Sequence, residues 1–465
     1  MDTSFAEQIH QASLQLLADP GVRFEHDAIY ELLLKRGAKP GNDAHVVRIP
    51  EEMVEQYLQL CPKRAMLHNR LGEPTEITCN SDPIFWSVPG INLYRRGELR
   101  PFRLQDMEEM TRLLDQLSNV AVVFGVSLDD IPPPARDVVG LRAIAENTAK
   151  HIRVLCFAPR SMDIMLEMRS AIGDYNWFSI GFTAHGPLRW THLALDVFRR
   201  TAGHGIPTTV NGEPMAGTSA PVTLAGTAAV GNAKILAGIV VNQILEPGRP
   251  CIYNFGLAHT FDMKTGIAVT GGPENALFAR VSAIMGRFYL LPSASWVSSE
   301  AMSPDAQAAL EKMFGFRTHS EAGVGCIWGV GQLESELTFS PAQAVIDDEM
   351  IAFNRRYSRG ISLSDSSLAV DLTRAVGIAG SFLDRDHTLE HFRTELFEPS
   401  VLFRKRRANW VAEGRQSLEE RAEDLADELI RRPVRHPLDD AVKDTLAALV
   451  ADYGAQLEKS DDCTK

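Results

Sequence analysis

The spacing of apolar residues along the chain changes character near residue 104. Before that point, residues 3–18, 25–37 and 51–60 have apolar side chains at helical spacing, separated by turn residues. Residues 65–100 instead have short apolar runs broken by glycine and polar residues, with Trp86 predicted on a loop. The pattern therefore predicts a small helical cap followed by short strands.

From residue 104 onward, predicted helices alternate with short apolar, β-branched runs. The predicted helices lie at roughly 104–117, 136–149, 161–171, 189–202, 222–245, 273–290, 304–315 and 341–356. The predicted strands are Val120–Ser127, Ile152–Ala158, Trp177–Ala184, Ile206–Glu213, Pro250–Leu257, Ser293–Ser299, Gly323–Val330 and a short last one near Ile378–Leu383. Eight alternations over ~280 residues match the usual size of a (β/α)₈ barrel.

An open, doubly wound sheet is the competing α/β architecture. It usually has a glycine-rich fingerprint after its first strand, and Phe124-Gly125-Val126-Ser127 is not one. We therefore expect a TIM-type barrel over residues 101–400, an N-terminal helical and mixed extension over 1–100, and a C-terminal helical tail over 401–465.

Composition narrows the class of protein. The chain has 465 residues, 45% of them apolar and 23% charged, with a formal net charge of −13. This balance is typical of a globular domain, and it argues against nucleic acid as a partner. We find no signal-peptide pattern and no apolar run of membrane-spanning length, so we expect a cytoplasmic protein without a membrane partner. The six cysteines are scattered, which predicts neither disulfides nor a cysteine metal cluster.

In a barrel of this kind the chemistry lies where the carboxyl ends of the strands meet. Because alternate strand residues share a face, several polar and aromatic side chains are predicted at this mouth. The candidate catalytic residues are Glu213, Glu300 and His387, and the candidate binding residues are Asn211, Tyr253, Asn254, Phe255, Trp296, Cys326 and Trp328. The histidines are spread over many elements, so no metal site is predicted.

Carboxylates combined with aromatic faces suit a quaternary ammonium ion, which has no N–H to donate. The alternative is that the aromatic residues only pack the barrel against its helices, as most aromatic residues do. For any single aromatic residue packing is the better interpretation, whereas for at least one of Trp296 and Trp328 we expect a role in binding. Glu213 lies between Gly212 and Pro214 at a buried strand end, where an unpaired carboxylate is costly, so we expect it to be functional.

Several blocks of sequence, in order along nearly the whole chain, resemble one known family. They include Pro214-Met215-Ala216-Gly217, Ala220-Pro221-Val222-Thr223-Leu224-Ala225-Gly226, Pro304-Asp305-Ala306-Gln307-Ala308, Gly331-Gln332-Leu333-Glu334 and His387-Thr388. Together they resemble the trimethylamine methyltransferase family, in its non-pyrrolysine branch typified by glycine betaine:corrinoid methyltransferases.

The resemblance implies a (β/α)₈ barrel that moves a methyl group from a methylated amine to Co(I) of a separate corrinoid protein. It implies cobalamin supplied by that partner rather than bound tightly here, and a homo-oligomer. A quaternary amine of the betaine type, such as glycine betaine, is the expected substrate, because it leaves as a neutral tertiary amine. All 465 residues are standard, whereas relatives that use trimethylamine recruit pyrrolysine.

The sequence departs from these relatives at two places. Arg385 stands where relatives often have the first histidine of His-x-His-Thr, and Glu300 and Met302 stand where they often have Asp and Lys. These changes bear on the substrate, and Arg385 is a candidate donor to a substrate carboxylate. A non-catalytic betaine-binding protein, a trimethylamine-type enzyme with another substrate, and a metal-dependent barrel hydrolase remain as alternatives.

Overall fold

A computed structural model describes residues 2–462 of the chain. Its centre is a closed ring of eight parallel strands, which confirms the predicted barrel. In chain order the strands are β1 (Ile84–Ser87), β2 (Val120–Phe124), β3 (His151–Arg153), β4 (Phe178–Thr183), β5 (Thr208–Asn211), β6 (Cys251–Gly256), β7 (Ser293–Trp296) and β8 (Cys326–Val330).

The ring closes where β8 pairs with β1, through the parallel register of Trp328 with Trp86. The strand predicted near Ile378–Leu383 is therefore wrong, since β1 completes the ring and Ile378 is fully exposed on the surface. Trp86 lies within β1 rather than on a loop, and the barrel begins before residue 101. β1 is only four residues long and is followed by a hairpin, so its sequence does not distinguish it from the small strands before and after it.

One helix follows each strand, as the pattern predicted. They are α1 (Leu104–Gln116), α2 (Arg136–Asn147), α3 (Ser161–Ile172), α4 (His192–Arg200), α5 (Leu224–Leu245), α6 (Pro273–Tyr289), α7 (Ala306–Ala322) and α8 (Pro341–Ser358). A single 3₁₀ turn, Pro133–Ala135, precedes α2.

Helix α5 is apolar on all sides and almost entirely buried. Among the described residues it is the one helix long and apolar enough to cross a membrane by length and composition, in contrast to the sequence-based expectation. Here it packs against β5, β6 and the N-terminal helices, so its apolar surface is explained by the protein core.

The N-terminal extension packs on one side of the barrel and closes its lower end. Three helices, Asp2–Ala18, Asp27–Lys35 and Glu51–Leu60, match the predicted helical cap. The hairpin formed by Arg64–His68 and Pro74–Thr78 then places Ala65, Leu67 and Ile77 in the same apolar cluster as the barrel interior. This hairpin plugs the end of the barrel opposite the mouth.

Two further parts of the extension are small sheets. The first sheet contains Val22–Phe24, Val46–Arg48 and Lys39–Pro40, and Arg189–Trp190 joins it by pairing with Val22–Phe24. In the second, Asn92–Arg95 with Glu98–Pro101 joins a sheet that includes Gln332–Leu333 and Thr338–Phe339. The second sheet links the loop after β1 to the loop after β8, both at the mouth.

The C-terminal part consists of a surface arm and helices that return to the barrel. We call residues 359–400 the arm; it contains the short helices Asp365–Leu368, Val370–Val376 and Asp386–Glu395. After Arg407–Ala412, the helix Leu418–Arg431 packs on α8 and α1, and Asp440–Asp462 packs on α2 and α3. The predicted helical tail is therefore confirmed.

Candidate active site

The interior of the barrel has an aromatic half and a polar half. Side chains alternate along each strand, so that every second residue points inward. The aromatic inward residues come from β1, β2, β7 and β8, and they are Trp86, Phe124, Trp296 and Trp328. Polar inward residues come from the other four strands, and they include Arg153, Thr183, Thr209, Asn211 and Asn254.

The aromatic half is a stack of indole rings. The rings of Trp86 and Trp328 lie 5.6 Å apart at 14°, and Phe124 meets Trp328 edge-on at 5.6 Å. The indole N–H groups of Trp86 and Trp328 are buried and have no hydrogen-bond partner among the described residues. Trp296, by contrast, donates its indole N–H to Oε1 of Gln332. The predicted pair Trp296 and Trp328 is brought together on neighbouring strands, in parallel register.

The polar half is a chain of side-chain hydrogen bonds. Asn254 donates to Oδ1 of Asn211 at 3.0 Å, and Asn211 donates to Oγ1 of Thr183 at 3.2 Å. Oδ1 of Asn254 and Oγ1 of Thr209 are buried without a partner. Buried polar atoms are usually hydrogen-bonded, so these orphaned atoms mark a place that a ligand or ordered water fills.

Glu213 stands at the mouth in a strained backbone conformation. Its φ is +29°, an unusual value for a residue with a Cβ, and it directly precedes Pro214. Such strain, of about 1–3 kcal/mol, clusters at functional sites. A Cβ on Gly212 would lie 2.9 Å from the carbonyl oxygen of Gly231, so only glycine allows this strand end to approach α5 so closely.

The carboxyl of Glu213 is partly buried beside a buried lysine. Burial raises the pKa of Glu213, while the charge of Lys234 and a hydrogen bond from Thr183 lower it in part. Nζ of Lys234 donates to the backbone carbonyl of Glu213 at 3.4 Å, and burial lowers the pKa of Lys234 to about 8. The mouth therefore contains a carboxyl group and an amino group whose pKa values are both shifted by burial.

A second carboxylate at the mouth, Glu336, was not predicted from the sequence. Glu336 is exposed at the rim of the mouth, but the surrounding loops partly desolvate its carboxyl and, together with the charge of Glu213, raise its pKa to about 7. The buried ring of His259 opposes this rise. Glu213 and Glu336 therefore form a pair of acidic groups that a cation would stabilise.

Glu300, a predicted catalytic residue, anchors a loop at the mouth. Its carboxylate accepts hydrogen bonds from the backbone N–H of Thr270 at 2.6 Å, from the Thr270 hydroxyl at 2.7 Å and from the N–H of Gly271 at 3.0 Å. These bonds occupy the carboxylate and fix the loop after β6 over the mouth. The contacts give Glu300 a positioning role.

The loop after β8 is hydrogen-bonded to the aromatic wall through Trp296. Gln332, which accepts the Trp296 indole hydrogen bond, also donates to the carbonyl of Ser335. The Ser335 N–H in turn donates to the carbonyl of Ser299 at 2.8 Å. The aromatic wall and the acidic residue Glu336 are thus carried by one connected network.

Asn211, Asn254, Trp296 and Trp328 lie inside the barrel as predicted, but three other candidates do not reach the mouth. The predictions for Tyr253 and Phe255 are wrong, because both side chains face the helices. Tyr253 donates to Oδ1 of Asn232 at 2.8 Å, and Phe255 packs edge-on against Phe278 at 5.5 Å. Strand alternation gives the reason, since Asn254 between them points inward. Cys326 does point inward, but it lies two residues below Trp328, where burial raises the pKa of its thiol.

His387 and Arg385 lie far from the position predicted for them. They were placed after a last barrel strand that does not exist, and they belong to the exposed arm instead. Nε2 of His387 is 3.1 Å from the carbonyl oxygen of Ser366, and Arg385 pairs with its neighbour Asp384 at 3.5 Å. Within this chain neither contributes to the barrel mouth.

No group of three or more histidine, cysteine, aspartate or glutamate side chains suited to a metal ion occurs in the described part of the chain. Cys61, Cys79, Cys156, Cys251 and Cys326 are free thiols, and Cys463 lies outside the described residues.

The sequence profile of the family described as "Trimethylamine methyltransferase (MTTB)" matches residues 1–457. The chain belongs to the trimethylamine methyltransferase family. A relative is the trimethylamine methyltransferase MttB of Desulfitobacterium hafniense, 30% identical over 95% of this chain and 91% of that protein. Another, a glycine betaine methyltransferase of D. hafniense, is 26% identical over 97% of this chain and 96% of that one.

The fold also matches a solved structure of a methyltransferase. The monomethylamine methyltransferase MtmB of Methanosarcina barkeri superimposes with a TM-score of 0.55 at 13% identity, covering 91% of this chain and 86% of that one. At this identity the match concerns the barrel fold alone.

In this member of the trimethylamine methyltransferase family, sequence reasoning missed three residues of the site. Trp86 was assigned to a loop because β1 is so short. Arg153 could have been found, since it is a charged residue in a buried strand two positions after His151. Glu336 follows Glu334 by two residues in the same loop, and no local pattern separates the two.

Proposed function

We propose that this protein transfers a methyl group from a quaternary amine of the betaine type to Co(I) of a corrinoid carried by a separate protein. One observation carries the proposal, namely a barrel interior walled by Trp86, Phe124, Trp296 and Trp328 on one side, with Glu213 and Glu336 at its mouth. Membership of a methyltransferase family supplies the reaction class. The glycine betaine methyltransferase among its relatives supports the substrate class.

The aromatic wall fits the chemistry of the cation. A quaternary nitrogen offers no hydrogen to an acceptor, so ring faces and diffuse negative charge are what can hold it, and each desolvated cation–π contact contributes about 2 kcal/mol. Glu213 and Glu336 supply the negative charge without lying in the aromatic stack itself. The three tryptophans are almost fully buried, so they also keep water away from the ammonium group.

The reaction needs orientation and desolvation more than proton transfer. The N–CH₃ bond breaks, its electron pair stays on nitrogen, and a neutral tertiary amine leaves, so no general acid is required. Co(I) supplies the electron pair that receives the methyl group. Because the positive charge on nitrogen disappears along the reaction, a tight ion pair in the ground state would oppose it, whereas aromatic walls and good alignment assist it.

The methyl acceptor has to arrive through the mouth, since the opposite end is closed by the hairpin of residues 64–78. We therefore infer a partner corrinoid protein that docks over the loops after β5 to β8. The protein is also proposed to be a homo-oligomer. The apolar residues of the arm support this, because Ile361, Leu363, Ile378 and Leu383 are more than 80% exposed.

A methyl-transfer assay with cob(I)alamin, followed by its change in absorbance, tests the proposal. The panel contains glycine betaine, proline betaine, carnitine, choline and trimethylamine. We expect turnover with at least one quaternary amine and none with trimethylamine. Turnover with trimethylamine would contradict the substrate class, and tight binding of betaines with no transfer to any Co(I) acceptor would instead indicate a betaine-binding protein.

Two variants tie the activity to the site. We expect Trp328→Ala and Glu213→Gln each to lower kcat/KM by at least tenfold, as removal of one favourable cation contact of about 1.4 kcal/mol implies. The matched control is Trp410→Ala, because Trp410 lies on the surface beyond the arm and donates to the carbonyl of Gln416 at 3.0 Å. Normal activity in both site variants would overturn the proposed location.

A further inference from the structure

The polar half of the barrel interior holds a buried arginine that has no acidic partner. Arg153 ends β3 and is 2% exposed. From Nη1 it donates to the backbone carbonyls of Val154 at 3.2 Å and Ser179 at 3.4 Å. Its Nε is buried and has no partner among the described residues. No carboxylate among the described residues forms an ion pair with Arg153.

A second buried arginine shows what a structural role looks like in this protein. Arg249 is fully buried on the outside of the ring, and each arm of its guanidinium has a partner. It donates to the carbonyl of Ile206 at 3.2 Å, to the carbonyl of Phe198 at 3.0 Å and to the Thr201 hydroxyl at 2.7 Å. Arg153 lacks such a set, although an unpaired charge inside a protein is costly.

The guanidinium of Arg153 lies against β4 beside a glycine and near an orphaned polar atom. A Cβ on Gly181 would lie 2.4 Å from Nη2 of Arg153, so glycine at this place is what lets the side chain extend across β4. Gly181 itself keeps some accessible surface, although it faces the barrel interior. Oγ1 of Thr209, on the next strand in register with Gly181, is one of the orphaned polar atoms.

Arg153 also lies next to the aromatic half. Its guanidinium carbon is 5.2 Å from the centre of the Phe124 ring, and Phe124 contacts Trp328. A ligand with a cationic end against the tryptophans could therefore reach Arg153 with an anionic end. Burial lowers the pKa of Arg153 to about 9, so the side chain is still charged at neutral pH, with nothing in the described chain to balance it.

We propose that Arg153 binds the carboxylate of a zwitterionic substrate whose quaternary ammonium group lies against Trp86 and Trp328. This inference rests on the proposed function and assigns the residue that recognises the acid group of its substrate. A guanidinium binds a carboxylate through two parallel hydrogen bonds, for which Nε and Nη2 of Arg153 are available. We assign to Arg153 the role that was predicted for Arg385.

Lys234 is another buried cation near the mouth. Its charge is already offset in part by Glu213, and its one hydrogen bond from Nζ is to the backbone of that residue. Arg153 has no comparable compensation, which is why we assign the carboxylate to Arg153. The experiment includes Lys234 so that the two assignments can be separated.

The test compares glycine betaine with choline, which differ only in a carboxylate against a hydroxymethyl group. Binding is measured by calorimetry on the full-length protein without any methyl acceptor. We expect the wild type to bind glycine betaine roughly 10- to 100-fold more tightly than choline, the range expected for charge-assisted hydrogen bonds. Arg153→Met should reduce this ratio to about one, and Arg153→Lys should restore part of it.

The matched control is Arg249→Met, which should lower the thermal midpoint and leave the betaine-to-choline ratio unchanged. Arg153→Met, free of ligand, should be at least as stable as the wild type, because it removes an uncompensated buried charge. Loss of the ratio in Lys234→Met but not in Arg153→Met would overturn the inference. So would a wild-type ratio near one.

Failure of the proposed function looks different. Preferential binding of glycine betaine that depends on Arg153, together with no transfer to Co(I), would leave the carboxylate site standing and refute the methyltransferase proposal. Methyl transfer from glycine betaine and choline with equal kcat/KM would support the methyltransferase proposal and refute the carboxylate site.

Discussion

Nζ of Lys312 lies 2.7 Å from Oδ2 of Asp347, and neither side chain has any exposed surface. Lys312 also donates to the carbonyls of Gly329 and Gln332, at 2.7 and 2.9 Å, while Asp347 accepts the N–H of Gly331 at 2.7 Å. The pair thus holds the turn that follows Trp328 and carries Gln332. Burial lowers the pKa of Lys312 and raises that of Asp347.

Removal of one partner of this pair should be strongly destabilising. We expect Lys312→Met to reduce the free energy of unfolding by about 3–5 kcal/mol, because it leaves the Asp347 carboxylate buried and unpaired. Denaturant unfolding measures the change. The double variant Lys312→Met/Asp347→Leu should recover part of the loss, and a double variant less stable than the single one would contradict this explanation.

Binding of a permanent cation should depend on pH through Glu336. The pKa of this carboxyl is about 7 in the folded protein, so it is neutral below that pH and charged above it. Choline, whose charge does not change with pH, should bind more tightly as pH rises from 6 to 8. The dependence should become smaller in Glu336→Gln, where the contribution of Lys234, with a pKa of about 8, remains. In Glu213→Gln the midpoint due to Glu336 should move to lower pH, because the repelling charge is gone.

Glu336 should also make the stability of the folded protein depend on pH, in a direction that its pKa determines. Because the pKa is raised in the folded state, the folded protein holds more protons than the unfolded chain between pH 4.5 and about 7. Over that window the wild type should lose stability as pH rises, relative to Glu336→Gln. Thermal midpoints of the two proteins measured at pH 5 and pH 8 test this, and a constant difference between them would refute it.

A pair of aromatic variants separates the two faces of the strands. Tyr253→Phe should lower the free energy of unfolding by about 1–2 kcal/mol, since it leaves the buried Asn232 amide short of a partner. It should not change KM for the amine. Trp328→Phe, by contrast, should raise KM for the amine, in addition to the loss of packing that any smaller side chain causes in the core. A raised KM in Tyr253→Phe would mean that the outer face contributes to the site.

A variant of Glu300 tests whether this residue acts by positioning the loop that it anchors. Glu300→Gln keeps the shape of the side chain but weakens the hydrogen bonds from Thr270 and Gly271. We expect faster proteolysis near residues 262–272 and a lower kcat, with no shift in the pH profile. A shift of the profile's midpoint would indicate that Glu300 takes part in proton transfer after all.

Which parts of this structure the sequence could predict follows from how local each signal is. Seven barrel strands, eight helices and the inward direction of Asn211, Asn254, Trp296 and Trp328 come from periodicity, which neighbouring residues determine. β1 could not be predicted in this way, because four residues beside a hairpin are too few to show a period. Its place in the ring is defined by pairing with β2 and β8.

The error in β1 carried over to the site. A false eighth strand near residue 380 predicts His387 and Arg385 at the mouth, although both lie on the arm. Arg153 is a functional candidate because it is buried without an acidic partner among the described residues. Glu336 is one because it lies beside Glu213. Such relations between distant residues have no signature in a single sequence.

The most direct test of the central claim is a crystal structure of the protein with glycine betaine and no methyl acceptor. We expect the trimethylammonium nitrogen inside the barrel, within about 6 Å of the ring of Trp328 or Trp86, with one methyl group turned toward the mouth. A ligand bound outside the ring of strands, with the Trp86–Trp328 stack out of contact with it, would contradict the account.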